Sequence, residues 1–364
     1  MMEDKIKHDV VLAPYTTFKI GGKAEMFAIA KTEAELLELA RFAAEQNLPV
    51  TILGGGSNVL ISDDGITGLV IKVETRGVDY EPVVAPDDAV VTVGAGMSWD
   101  ELVRNTTEKN LWGLENLSGI PGTVGGAIVQ NINAYGVTIA DMVSKVTALH
   151  LPSQTMRRFA PNECGFEYRN SWFKQSGAGR DYAILKVSLR LSTAKKMQAE
   201  YRSSSQSIET YLKERDITEP TPSDMREAIL HIRSRIGMLE GMYQSAGSFF
   251  KNPIVTKSDF AGVADVVESG HAEISAKFTP WHWPVGEDKE KISAAFLMEC
   301  TPYNKTNFAG QNYNGTVGIS PVHTLSVINL GNAGASDVRE FTKKISDTIE
   351  EKFGITFESE VRVL

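Results

Sequence analysis

The strongest constraint on this chain is a pair of glycine-dense segments, Gly54-Gly55-Gly56-Ser57-Asn58 and Asn116-Leu-Ser-Gly-Ile-Pro-Gly-Thr-Val-Gly-Gly-Ala127. Glycine lets a backbone approach a ligand closely and turn its N–H groups toward an anion such as a pyrophosphate. The first segment leaves the β-branched run Val50 to Leu53, so it caps a strand. It has neither the Lys-Ser/Thr that ends a Walker loop nor the alternating glycines of a dinucleotide fingerprint. Alone, a plain tight turn explains it equally well. The second segment sets Gly119, Gly122, Gly125 and Gly126 among the apolar Ile120, Val124, Ala127 and Ile128. That setting predicts buried backbone beside a ligand, in a stretch too rich in breakers for a regular helix.

Periodicity divides the 364 residues into three parts. In residues 1–77, Thr32 and Glu35 predict a capping box opening a helix to about Asn47, between strands at Val50–Leu53 and Leu69–Val73. In residues 78–195, Val90–Val93 reads as a strand, Ser98 and Glu101 as a second capping box, and Tyr182–Leu191 as a closing strand. Polar residues from Thr193 to Pro222 read as an insertion or linker at the start of the third part, 196–364. There Met225, Ile229, Ile232 and Ile236 share one helix face, and Val338, Phe341, Ile345, Ile349 and Phe353 share another before a Gly354 cap. The fold class is α+β.

Charge and composition exclude several classes. Lys plus Arg number 37 against 46 Asp plus Glu, a net charge of −9 that repels nucleic acid while leaving room for a small anion in a locally basic pocket. No run approaches a membrane span, and the start MMEDKIKHDVVLAPY lacks a signal-peptide core, so the chain reads as cytoplasmic with no membrane partner. Cys164 and Cys300 read as free thiols, and the six histidines show no metal spacing, so no metal is expected.

Seven motifs in order carry a resemblance: Thr16-Thr-Phe-Lys-Ile-Gly-Gly22, Leu53-Gly-Gly-Gly-Ser-Asn-Val-Leu60, Ser118-Gly-Ile-Pro-Gly-Thr-Val-Gly-Gly-Ala127, Tyr135-Gly136, Phe166-Glu-Tyr-Arg-Asn-Ser171, Ala246-Gly-Ser-Phe-Phe-Lys-Asn-Pro253 and Glu360-Val-Arg362. Together they resemble the UDP-N-acetylenolpyruvoylglucosamine reductases, flavoenzymes of peptidoglycan precursor synthesis. The resemblance implies a two-lobed FAD-binding domain of the vanillyl-alcohol oxidase type followed by a substrate domain, with FAD and NADPH as cofactors. By that likeness Gly54, Gly55, Gly56, Ser57 and Asn58 hold the FAD pyrophosphate, while Ser118, Gly119, Pro121, Gly122, Thr123, Gly125, Gly126 and Ala127 lie along the cofactor. NADPH and a small sugar-nucleotide substrate would take turns at one face of the flavin, and the protein is expected to be a monomer.

Reducing an enolpyruvyl ether requires hydride at the terminal carbon, a cation for charge developing on the carboxylate, and a proton for the neighbouring carbon. The resemblance gives these roles to Arg169 for the carboxylate, Glu360 as its acidic partner and Ser248 as proton donor. Glu360 would act protonated or bridged through Arg362. A serine hydroxyl is a weak acid, so Ser248 needs a strongly basic intermediate in a dry site. Tyr168, Asn252, His323 and, in the polar insertion, Tyr201 match substrate-contacting positions. The family's usual diphosphate lysine falls at Ile236, which extends the apolar stripe and is expected to pack; Arg235, or else Arg233, is expected to replace it. The segment Lys277–Gly318 has no functional reading beyond surface-loop packing. An oxidase of the same fold and a binding protein without turnover are the competing functions.

Overall fold

The computed structural model describes residues 5–81, 87–175, 177–197, 207–278, 280–308 and 313–364. The first β-branched runs pair into a four-stranded sheet in the order Lys7–Val11, Lys23–Ala30, Ile66–Val73, Val50–Leu53. Ile66–Val73 lies parallel to both neighbours. It is buried at Leu69, Val70, Ile71 and Val73, as a parallel strand covered on both faces must be. Helix Glu33–Glu45 packs Leu36, Leu39, Ala40 and Ala43 onto it. Thr32 Oγ1 accepts the Glu35 amide at 3.1 Å, but the Glu35 carboxylate returns to the Lys31 amide at 2.8 Å, so only half of the expected capping box closes.

A second, antiparallel sheet follows in the order Thr155–Phe159, Val143–His150, Tyr182–Ser192, Asp88–Gly94, Val78–Glu81. One apolar core runs from Ala28 to Leu191 through both sheets, so the division near residue 77 separates sheets without separating cores. The second glycine segment departs from the expected irregular loop: Val124–Gln130 is helical, with Thr123 as its cap. Each glycine costs a helix about 1 kcal/mol. Burial of Val124, Ala127 and Ile128 offsets that cost, and a Cβ on Gly125 would meet Ala95 Cβ at 3.1 Å.

Thr193–Pro222 is more than a linker. It contains helix Ile208–Lys213 and leads into helix Pro222–Arg235, which opens with a Thr221/Asp224 capping box and a proline at the first position, where no N–H is needed. Both helices pack on Trp112 of the second lobe. Ile236 does not continue the buried stripe of Met225, Ile229 and Ile232; it is the C-cap, half-buried, because the helix ends at Arg235. Arg226 grips Asp100 with two hydrogen bonds of 2.6 and 2.7 Å, and Asp100 Oδ1 also accepts the Gly119 amide at 2.6 Å. Burial raises the Asp100 carboxyl, but these donors outweigh it and hold it below the usual range. Asp100→Ala should therefore cost about 2 kcal/mol, read as a lower melting temperature. A carboxyl held low stabilises the fold above the ~3.9 of an unfolded aspartate, so the difference from wild type should shrink as pH falls beneath that value.

A second large core joins Phe18, Ile20 and Leu60 to residues between Ala246 and Val361. It holds the sheet Ser245–Ser248, Ser326–Asn329, Val317–Ile319 and the helix Ala335–Phe353, which ends at Gly354 with φ +67°. The chain then returns to the first lobe. Glu360 N donates to Phe249 O at 2.8 Å and Lys251 N to Glu358 O at 3.0 Å, after which Arg362–Val363 pairs in parallel with Val59–Leu60. This last stretch ties the strand bearing Ser248 to the strand leaving the first glycine loop.

Candidate active site

The two glycine segments touch. A Cβ on Gly55 would lie 2.6 Å from Gly122 Cα, and one on Gly122 would lie 2.5 Å from Ser57 Oγ. Gly56, at φ +67°, would put its Cβ 2.1 Å from Tyr15 O. Ser57 Oγ donates to Pro121 O at 3.1 Å, fastening the loops to each other. Gly126 differs: it is exposed, and the nearest atom to a Cβ there is Thr123 Oγ1 at 3.5 Å. The fold does not need glycine at that position. It opens onto a cavity of about 1650 Å³ lined by both loops and by the third part of the chain. That exceeds the ~300–1,000 Å³ of an ordinary small-molecule pocket and leaves room for a dinucleotide beside a second ligand.

Gly54, Gly55, Gly56, Ser57, Asn58, Pro121, Gly122, Thr123, Gly125, Gly126 and Ala127 line this cavity, so the residues present fit FAD. Ser118 and Gly119 do not line it. Ser118 is wholly buried with its hydroxyl on Glu115 O, and Gly119 gives its amide to Asp100 and its carbonyl to Arg233. They shape the loop from behind.

Ser248, Arg169 and Glu360, from three distant stretches, all reach the cavity wall. Ser248 and Glu360 are held together by the backbone bond between Phe249 and Glu360. The Ser248 hydroxyl has no protein hydrogen-bond partner among the described residues, which leaves it available to a ligand. Arg169 Nε lies 2.9 Å from Glu360 Oε1, and its Nη1 donates to Asn133 O at 2.9 Å. The Nε contact brings charges together without an aligned N–H bond. Arg169 holds φ +54°, an unusual conformation for a side chain this large. Glu360 meets Arg169 and Gln130, not the expected Arg362; that arginine lines the cavity and donates its backbone N–H to Asn58 O at 3.1 Å.

The substrate candidates divide. Arg235 is exposed on the cavity wall, whereas Arg233 is buried with its guanidinium on Gly119 O and Met238 O, so Arg233 braces the loop. His323 lines the cavity, half-buried, with its Nδ1 lacking a hydrogen-bond partner among the described residues. Burial first, then the nearby Arg233 and Lys305, push it down to about 4, so it is a neutral imidazole at neutral pH. Tyr168 stands off the wall, 37% exposed, with Arg169 and Lys291 each 5.7 Å from its ring. Asn252 is not brought to the cavity; its Oδ1 accepts the Ala294 amide at 3.0 Å and so fixes the start of helix Ala294–Glu299. Tyr201 lies outside the described residues.

Sequence reading missed part of the wall. Lys277, Glu299, Asn304 and Lys305 line the cavity, correcting the reading of Lys277–Gly318 as surface packing. Trp281 stacks on Phe296 at 4.5 Å and so anchors this segment to the core. Gln130 and Lys174 were also missed. Lys174 sits just past the Phe166–Ser171 motif, a polar residue after two apolar ones, and that was the available signal. Both thiols are buried, Cys164 being pushed up to about 11 and Cys300 to about 12, which makes them inert. Among the described residues no helix is long and apolar enough to cross a membrane.

Residues 24–159 match the FAD binding domain family, and residues 239–364 match the C-terminal domain of UDP-N-acetylenolpyruvoylglucosamine reductase. The reductase of that name from Pseudomonas syringae pv. tomato is 34% identical over 98% of each chain. The one from Thermobifida fusca is 35% identical over 99% of this chain and 98% of its own. The crystal structure of the Thermus caldophilus reductase superimposes with a TM-score of 0.63 at 25% identity, covering 97% of each chain.

Proposed function

This chain belongs to the UDP-N-acetylenolpyruvoylglucosamine reductases, FAD-dependent oxidoreductases with a domain of the vanillyl-alcohol oxidase type, and from that premise we propose that it reduces the enolpyruvyl ether of UDP-N-acetylglucosamine to UDP-N-acetylmuramate with NADPH. The observation that carries the proposal is the convergence of Ser248, Arg169 and Glu360 on the cavity that the glycine loops border. The glycine loops Gly54–Asn58 and Pro121–Ala127 would hold FAD, which would supply the hydride-transfer chemistry between NADPH and the enolpyruvyl group. Arg169 holds the substrate carboxylate and stabilises the charge that develops there. Glu360 keeps the guanidinium aimed. Ser248 gives its proton to the neighbouring carbon, so that one hydride and one proton saturate the double bond. The same reading makes the protein a cytoplasmic monomer acting on a small sugar nucleotide, with neither nucleic acid nor membrane as partner.

The test is an anaerobic mixture of the purified holoenzyme with NADPH and the enolpyruvyl nucleotide. The flavin absorbance band should bleach with NADPH and recover on adding the nucleotide. Fast recovery in air alone would identify an oxidase, and a colourless protein would identify a binding module. Arg235 is assigned to the substrate diphosphate. Arg235→Ala should raise KM for the nucleotide about tenfold with kcat little changed, and an unchanged KM would remove it from the site.

A further inference from the structure

The cavity wall carries a half-buried lysine, Lys174, that the mechanism above leaves unused. We infer that Lys174 is a positioning residue for Glu360, acting through the side-chain amide of Gln130; the inference rests on the proposed role of Glu360. Lys174 Nζ donates to Gln130 Oε1 at 2.7 Å, and Gln130 Nε2 donates to Glu360 Oε1 at 2.9 Å. Glu360 Oε1 also faces Arg169 Nε at 2.9 Å.

The logic lies in the donor inventory. A glutamine amide has an accepting end and a donating end, and either can face a carboxyl group. An ammonium only donates. Lys174 therefore fixes the near end of Gln130 as the carbonyl and turns the NH₂ end onto Glu360. Glu360 Oε1, with an N–H and a guanidinium upon it, can only accept, so Oε2 is the oxygen left to meet a ligand. Without the cation the amide can turn over, set its carbonyl against Oε1 and drive the carboxylate off Arg169. Gln130 is 9% exposed, so solvent screens this arrangement little. The same ammonium donates to Arg169 O at 3.0 Å, which pins the backbone of a residue already at φ +54°.

The charged groups facing Lys174 are Lys251, Glu360, Arg169 and Arg362. Burial first, then the three cations, pull its ammonium down to about 8 against the attraction of Glu360. Above that pH the free amine can accept as well as donate, and its control over the amide is lost.

The test follows the nucleotide-dependent half-reaction of the holoenzyme from about pH 6 to pH 10. The wild-type rate should fall with a midpoint near 8. Lys174→Arg should keep the rate and remove that limb, because a guanidinium does not deprotonate in this range. Lys174→Met should be slower by about tenfold to a hundredfold and flat. The side-chain amide NMR signal of Gln130, assigned through Gln130→Ala, should move with the same midpoint in wild type and stay fixed in Lys174→Arg. A Lys174→Met enzyme with wild-type rate and limb overturns the inference. Should that variant fail to fold, a limb persisting near 8 in Lys174→Arg overturns it instead. A wild-type protein that never oxidises its flavin with the nucleotide sinks the proposed function, a separable outcome.

Discussion

Ser248→Ala should leave reduction of the flavin by NADPH nearly intact and slow the nucleotide-dependent half-reaction by roughly 10²- to 10⁴-fold, the usual worth of a positioned proton donor. The asymmetry is the informative part. Ser248 ends the strand Ser245–Ser248 and pairs across it with Ser326, while its hydroxyl takes no partner among the described residues. Removing one oxygen therefore leaves no buried group unsatisfied and should not move the backbone that joins Phe249 to Glu360. A folding defect would depress both half-reactions, whereas loss of the donor touches only the step that consumes a proton. Stopped-flow traces of the two halves separate these cases, and equal loss in both would strip Ser248 of its proposed role.

Gly126→Leu is expected to give a folded, colourless protein. At most cavity glycines a side chain would strike protein: Gly55 meets Gly122 Cα at 2.6 Å and Gly56 meets Tyr15 O at 2.1 Å, so changes there confuse folding with binding. Gly126 faces the cavity with only Thr123 Oγ1 near, at 3.5 Å, and it sits in the helix Val124–Gln130, where leucine is the better helix former. Its side chain would occupy the part of the cavity proposed for the cofactor. Overpacking of this kind costs about 1–3 kcal/mol or more, so FAD affinity should fall roughly a hundredfold. Equilibrium dialysis measures the loss, and an unchanged melting temperature of the flavin-free protein shows that the fold survives. A yellow variant with wild-type affinity would mean that Gly126 does not face the cofactor.

How much was legible varied with the kind of signal. Helices with long stripes were legible: the face Val338, Phe341, Ile345 and Ile349 is wholly buried, and Gly354 caps in the left-handed region as expected. The breaker-rich segment was misread over Val124–Gln130, because propensity is a weak prior and tertiary burial of Val124 and Ile128 overrides it. Ile236 was misread for the opposite reason: a stripe says which face is apolar but not where the helix stops. Lys277, Asn304 and Lys305 carried no local pattern at all; only the docking of that segment on the second large core brings them to the wall.

Composition, period and motif spacing determined by themselves that this is an α+β chain with two glycine cradles, and the resemblance its motifs carry singled out the hydroxyl, guanidinium and carboxylate proposed for its chemistry. Those are properties of residue type and local order, which a linear string retains. Tertiary structure alone decided that the C-terminal stretch lies between the Ser248 strand and the first glycine loop, that Glu360 meets Arg169 and Gln130 rather than Arg362, and that Asn252, Ser118 and Gly119 lie off the cavity wall. Contacts of that kind join residues far apart in the chain. Their geometry is fixed by how two cores and a returning strand pack together, and a sequence read locally holds no record of that.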